Sequence, residues 1–145
     1  MHMRILIALC ALLVFVMPTA RADNVLHFNG YTVYYSAFNS TLLQAKVARA
    51  YHLGPGCDRG VLTVAVHDKS GTPTAATVTA TAVDLIGRTQ RITMHLVHDG
   101  KAIYYVGGFH IGNTGDDPVK IDITVKPQGA TGGNSFEIKQ RFYQC

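Results

Sequence analysis

The chain has no tryptophan and a single glutamate, Glu137, and charged side chains make up only 15% of its residues. Soluble chains average about 25% charged residues. That shortage excludes a disordered tail, a coiled coil and a basic nucleic-acid-binding arm, each of which depends on dense charge. One glutamate leaves little for paired-carboxylate catalysis. The missing tryptophan weakens a stacking platform for sugars in particular. Neither a G-x-S-x-G elbow nor an H-E-x-x-H motif is present, so the common signatures of serine hydrolases and zinc proteases are lacking. What remains is 145 residues, 48% of them hydrophobic, which suits one globular domain.

The N-terminus reads as an export signal over residues 1–22. Arg4 supplies the positive start, Ile5 to Met17 an unbroken apolar run, and Ala20-Arg21-Ala22 a small-x-small cleavage pattern before Asp23. The apolar run is shorter than the roughly 20 residues a spanning helix needs. Cleavage after Ala22 leaves a domain of residues 23–145, with no membrane span. It also removes Arg4 and Arg21, so the formal charge of +4 falls by two. Arg88, Arg91, Lys120 and Lys126 stand isolated, without the clustered cations that track phosphates. Nucleic acid is therefore not an expected partner.

Cys10 leaves with the signal, and Cys57 and Cys145 remain. An even pair in an exported chain is a candidate disulfide. A bridge closing so long a loop stabilises by about 4–5 kcal/mol in the chain-entropy picture. Two free thiols, or Cys145 pairing between molecules, are the alternatives.

Most of the remaining chain alternates with period two. Leu62, Val64 and Val66 interleave with Thr63, Ala65 and His67, and Val119, Ile121, Ile123 and Val125 with Lys120, Asp122, Thr124 and Lys126. Strands buried on one face belong to antiparallel sheets. Turn signals at 68–73, 86–88, 99–101, 113–118 and 128–134 divide the chain into about seven strands. Their expected spans are 26–38, 60–67, 74–85, 89–98, 102–110, 119–126 and 135–144. Asp99-Gly100 suits a two-residue hairpin turn. The expected fold is all-β, an immunoglobulin-like antiparallel sandwich, with a small barrel as the alternative that periodicity does not separate.

One stretch departs from the alternation. Thr41-Leu42-Leu43-Gln44 fits a capping box. Leu43, Val47, Ala50 and Tyr51 then share one helical face, and Gly54-Pro55 ends it. A short helix over 42–52 is expected after the first strand, covering part of the sandwich. The strand before it carries rings on both faces: Tyr31 and Tyr35 on one, Tyr34 and Phe38 on the other. A binding groove lined by Tyr34 and Asn39 near the helix is the functional reading of those rings; simple packing is the alternative.

The run Tyr31-Thr32-Val33-Tyr34-Tyr35-Ser36-Ala37-Phe38-Asn39-Ser40-Thr41, followed by Val47-Ala48-Arg49-Ala50-Tyr51, resembles the bacterial family designated domain of unknown function 4426. Tyr104-Tyr105-Val106 and the segment Phe136 to Tyr143 look similar too. Ser36 stands where the family usually has asparagine, and Gly54 to Asp58 replaces a more basic segment. The resemblance implies export to the periplasm and an immunoglobulin-like fold. It implies no activity.

Histidine is the commonest metal ligand, and His27, His52, His67, His95, His98 and His110 all lie beyond the signal. His95 and His98 point to opposite faces of one strand, so a copper or zinc site would need the strand-end residues His67, His98 and His110 to converge. Asn113, Asp116 and Asp117 do not match a calcium loop and read as a polar turn. The expectation is a non-enzymatic periplasmic module, without cofactor, that binds or assists an envelope protein or a small ligand. The alternative is a periplasmic copper- or zinc-binding protein.

Overall fold

A computed structural model of the chain describes residues 24–112 and 117–143. In chain order the elements are β1 (Val25–Phe28), β2 (Tyr31–Asn39), a 3-10 turn (Ser40–Leu42), α1 (Ala45–Ala50), β3 (Arg59–His67), β4 (Ala76–Val83), β5 (Thr89–Ile92), β6 (His95–Asp99), β7 (Ala102–His110), β8 (Val119–Pro127) and β9 (Asn134–Gln140). All pairings between these strands are antiparallel. They build one sheet in the order β1-β2-β3-β7-β6 and a second in the order β5-β4-β8-β9. Both sheets are open, so the fold is an all-β sandwich of the expected kind and not a closed barrel.

Two of the expected strands are each divided in two. The span 26–38 is a hairpin, because Asn29 and Gly30 both take positive φ (48° and 82°). That is the type I′ turn which an Asn-Gly pair favours. The span 89–98 changes sheets: β5 pairs with β4, while β6 pairs with β7. Thr93 and Met94 carry the chain across, directly over Gly107. A Cβ on Gly107 would sit 2.6 Å from the Ile92 side chain and 2.7 Å from the Thr93 carbonyl oxygen. Only glycine lets the crossing segment lie so close to β7.

The Asp99-Gly100 turn is displaced by one residue. Asp99 still pairs with Ala102, so Gly100 and Lys101 form the tip, and of these only Gly100 takes positive φ (59°). This is the pattern of a turn with glycine at its first central position.

The helix is shorter than 42–52. Leu43 and Gln44 are extended, with ψ of 141° and 132°, and separate the 3-10 turn from α1. Gln44 serves as the N-cap and makes no side-chain capping bond, so the capping box does not form. At the other end His52 takes φ 55°, and the Leu53 N–H donates to the Ala48 carbonyl at 2.8 Å. That is the closing bond of a Schellman-type stop.

The main core lies between the sheets, where Leu62, Val64 and Val66 of β3 meet Ile121, Ile123 and Val125 of β8. Tyr105 ties the layers together, its hydroxyl oxygen accepting the Ala76 N–H at 2.8 Å. A second, smaller apolar cluster sits on the outer face of the five-stranded sheet. There Val47 of α1 packs with Val61, Val97 and Val106, flanked by Phe38 and Tyr51. The Tyr51 hydroxyl donates to the Leu96 carbonyl at 3.0 Å, and its ring stacks on His95. The five-stranded sheet thus carries apolar packing on both faces, and the rings of β2 divide between them as expected: Tyr35 meets Phe136 in the core, and Phe38 packs under the helix.

Candidate binding groove

α1 does not cover the whole outer face of its sheet, and the uncovered part is a groove of about 430 Å³. Period two decides what lines it. Tyr34, Ser36 and Phe38 of β2, Thr63 and Ala65 of β3, and Tyr104 of β7 form the floor. Leu42, Leu43, Gln44 and Val47 form the wall, and Asp99 lies at one end. Leu42 is 74% exposed and Tyr34 44% exposed, so apolar surface faces water at the rim.

Register places these side chains in rows across the sheet. Tyr34 is opposite Ala65. Continuing the β3–β7 register one step past Val64 and Tyr105 brings Ala65 opposite Tyr104. Two rings therefore flank one methyl group, about 9.5 Å apart at the backbone for two strand spacings. Asp99 pairs with Ala102, two residues from Tyr104 on the same face, and so is its diagonal neighbour. The Tyr104 phenol is held above its ordinary value of 10.0, first by burial and then by the negative charge of Asp99. It stays neutral at physiological pH. Among the described ion pairs none involves Asp99.

Tyr34 stands in this groove; Asn39 does not. Asn39 has the opposite parity on β2 and bonds the terminal segment instead. Its Nδ2 donates to the Tyr143 carbonyl at 2.8 Å, and its Oδ1 accepts the Tyr143 N–H at 3.4 Å. The next residue, Ser40, is buried and grips the turn before Cys57. Its hydroxyl accepts the Gly56 N–H at 3.0 Å and donates to the Gly56 carbonyl at 3.2 Å. Asp99, Tyr104 and Ala65 were not among the residues expected at the site. Asp99 had the look of turn chemistry, and only the strand register joins the three.

A second concavity, of about 350 Å³, lies at the sandwich end where β3 begins and β7 finishes. His52, Asp58, Arg59, Gln90 and His110 line it. Asp58, Gln90 and His110 serve one another. His110 Nδ1 lies 3.3 Å from Asp58 Oδ2, and Gln90 Oε1 accepts the His110 N–H at 2.9 Å.

The strand-end histidines do not converge. Arg59 pairs with His110 at one end of the five-stranded sheet. His67 and His98 lie toward the other end, opposite Thr32 and Ile103. Among the described residues no group of three or more His, Cys, Asp or Glu is placed to hold a metal ion, and no helix is long and apolar enough to cross a membrane. The signal over 1–22, Cys145, and the Asn113 and Asp116 of the polar turn lie outside the described residues.

A two-sheet sandwich with a helix laid on one outer face, and a groove beside that helix, defines a small β-sandwich protein. The chain belongs to the family described as Domain of unknown function (DUF4426), whose model matches residues 25–144. It is similar to the crystal structure of a DUF4426 family protein from Pseudomonas aeruginosa PAO1. That likeness has 30% sequence identity and a TM-score of 0.73, over 83% of this chain and 94% of the other. A weaker likeness, at 16% identity and a TM-score of 0.49, is to FetP of uropathogenic E. coli strain F11, covering 81% of this chain and 92% of that one. No curated protein matches the chain.

Proposed function

We propose that this protein is an exported, non-enzymatic binding module of the bacterial envelope, and that it binds through the groove beside α1. The observation that carries the reading is the exposed apolar rim of Leu42 and Tyr34 over a concave floor. Ligand sites are concave, largely apolar and furnished with a few polar groups, and this groove has that make-up. The end concavity is less apolar than the groove, and its Asp58 carboxylate, His110 imidazole and Gln90 carboxamide oxygen already have partners. Export rests on Arg4, the Ile5–Met17 run and the Ala20-Arg21-Ala22 pattern. The periplasm is the compartment this assigns, and the partner is an envelope protein or a small ligand rather than nucleic acid.

A disulfide between Cys57 and Cys145 belongs to the same reading. Asn39 holds the backbone of Tyr143, two residues before Cys145. Ser40 holds that of Gly56, one residue before Cys57. Adjacent residues of β2 and its following turn thus hold the backbones of Tyr143 and Gly56 at one end of the sandwich. Denatured, unreduced protein from the periplasm is expected to show no reactive thiol; two per chain would overturn the bridge.

Binding is tested with N-phenyl-1-naphthylamine, a neutral apolar dye whose emission rises in a water-poor site. The processed chain is expected to bind it, and Leu42→Asp and Tyr34→Asp are each expected to weaken binding by about tenfold or more, since a charge would enter an apolar contact. Equal binding by the variants, with circular dichroism unchanged, would rule the groove out.

A further inference from the structure

The groove's chemistry is more specific than an apolar slot. Its lining includes two tyrosines on either side of Ala65 and a single charged residue, Asp99. No lysine or arginine lines it, and Asp99 makes no described ion pair. Aromatic faces carry negative partial charge and attract cations. A carboxylate next to them adds to the same field.

Dimensions agree with the charge. The Tyr34 and Tyr104 strands stand about 9.5 Å apart and leave a slot over the Ala65 methyl, with the His67 ring 5.0 Å from that of Tyr34. The slot has room for an ammonium or trimethylammonium head. Beyond the slot the surface is apolar, with Phe38, Leu43 and Val47 leading along the helix. A ligand with one cationic head and one short hydrocarbon body would match both parts.

We propose that this groove binds small apolar organic cations, with the head between Tyr34 and Tyr104 beside Asp99 and the hydrocarbon body along Phe38, Leu43 and Val47. The proposal rests on the groove being the binding surface and adds the ligand class. Ala65 is the specificity-determining position, because a larger side chain there fills the slot while leaving Asp99 and both tyrosines in place.

The test titrates the processed chain with hexyltrimethylammonium, hexan-1-ol and hexanoate, following backbone amide shifts by NMR. The cation is expected to bind about tenfold more tightly than the alcohol, in keeping with a cation–aromatic contact reinforced by one carboxylate. Shifts should centre on Tyr34, Ala65, Asp99 and Tyr104. Asp99→Asn suits its place before Gly100 and should reduce the cation's advantage several-fold without changing hexan-1-ol. Ala65→Leu should abolish cation binding. Equal affinities for cation and alcohol, or a preference for hexanoate, would overturn the proposal. If the dye still binds in that case, the groove survives as a neutral apolar site; if neither dye nor cation binds, both readings fall.

Discussion

On β8 the side chains alternate strictly, Ile121, Ile123 and Val125 inward and Lys120, Asp122 and Thr124 outward to water. On β3 the inward residues Leu62, Val64 and Val66 are just as buried, yet Val61 on the opposite face is also fully buried. The difference is α1, which covers β3 from outside and leaves the outer face of β8 to solvent. The two sheets share one core, but only the five-stranded sheet has a second apolar layer and, where that layer stops, a groove. A helix laid on one face of a sandwich therefore does two things: it buries Val61, Val97 and Val106, and its edge makes the concavity beside Tyr34.

The sharpest way to break this comparison is to damage each layer separately. Leu62→Ala opens the shared core, where a leucine truncation costs about 2–5 kcal/mol, and urea unfolding should shift as one transition for both sheets. Val47→Ala removes two methyl groups from the outer cluster, worth about 1.5 kcal/mol at the usual value per buried carbon. It should also weaken dye binding, because Val47 lines the groove. Leu62→Ala should leave binding by the folded fraction intact. If Val47→Ala destabilised as strongly as Leu62→Ala, the outer cluster would have to be treated as part of the main core.

The wet sheet gives the control. Lys120 Nζ lies 3.7 Å from Glu137 Oε2, and both side chains are well exposed. Exposed pairs of this kind contribute little, so Lys120→Ala should change the unfolding free energy by less than about 0.5 kcal/mol and leave binding untouched. A larger loss would mean that the outer face of β8 carries a contact that its exposure does not reveal.

The same contrast governs what could be read from sequence. β8 was legible almost to the residue, because its outer face meets only water and alternation is then undisturbed. The hairpin at Asn29-Gly30 had its strongest local signal in plain view, but Val33, Tyr35 and Ala37 continue the apolar alternation beyond it and the two strands read as one. The sheet change after Ile92 is recorded mainly at Gly107, which is distant in the chain and shows no reason for being glycine until Thr93 lies against it. Helix length depended on Leu43 and Gln44, where docking against the sheet overrode a plausible capping box. At the groove, parity alone places Tyr34 correctly and should have excluded Asn39. Ala65, Asp99 and Tyr104 were beyond reach because strand register, not local pattern, brings them together.

The smallest expected effect concerns two loops that flank β4. Asp68 and Asp84 each begin a D-x-x-G-x loop with the same bonds. One carboxylate oxygen accepts the N–H groups two and four residues on, and Gly71 and Gly87 follow with φ of 78° and 80°. Asp84 has in addition the Arg88 guanidinium, whose Nε lies 2.6 Å from its second oxygen. Both carboxyls are held below their ordinary 3.8, Asp84 first by the Arg88 side chain and Asp68 first by the Ser70 hydroxyl. A lowered folded value means that the unfolded chain binds more protons in the acid range. The contribution is therefore complete above about pH 4 and disappears as pH falls through the folded value. Asp84→Asn should lower the urea midpoint slightly at pH 7, and the gap from wild type should close in acid. Salt should shrink the Asp84 effect more than that of Asp68→Asn, since Asp84 is held chiefly by the Arg88 guanidinium whereas the charge of His67 is the least of the causes at Asp68. A gap independent of pH would assign the loop's stability to hydrogen bonds that asparagine keeps, and not to the charge.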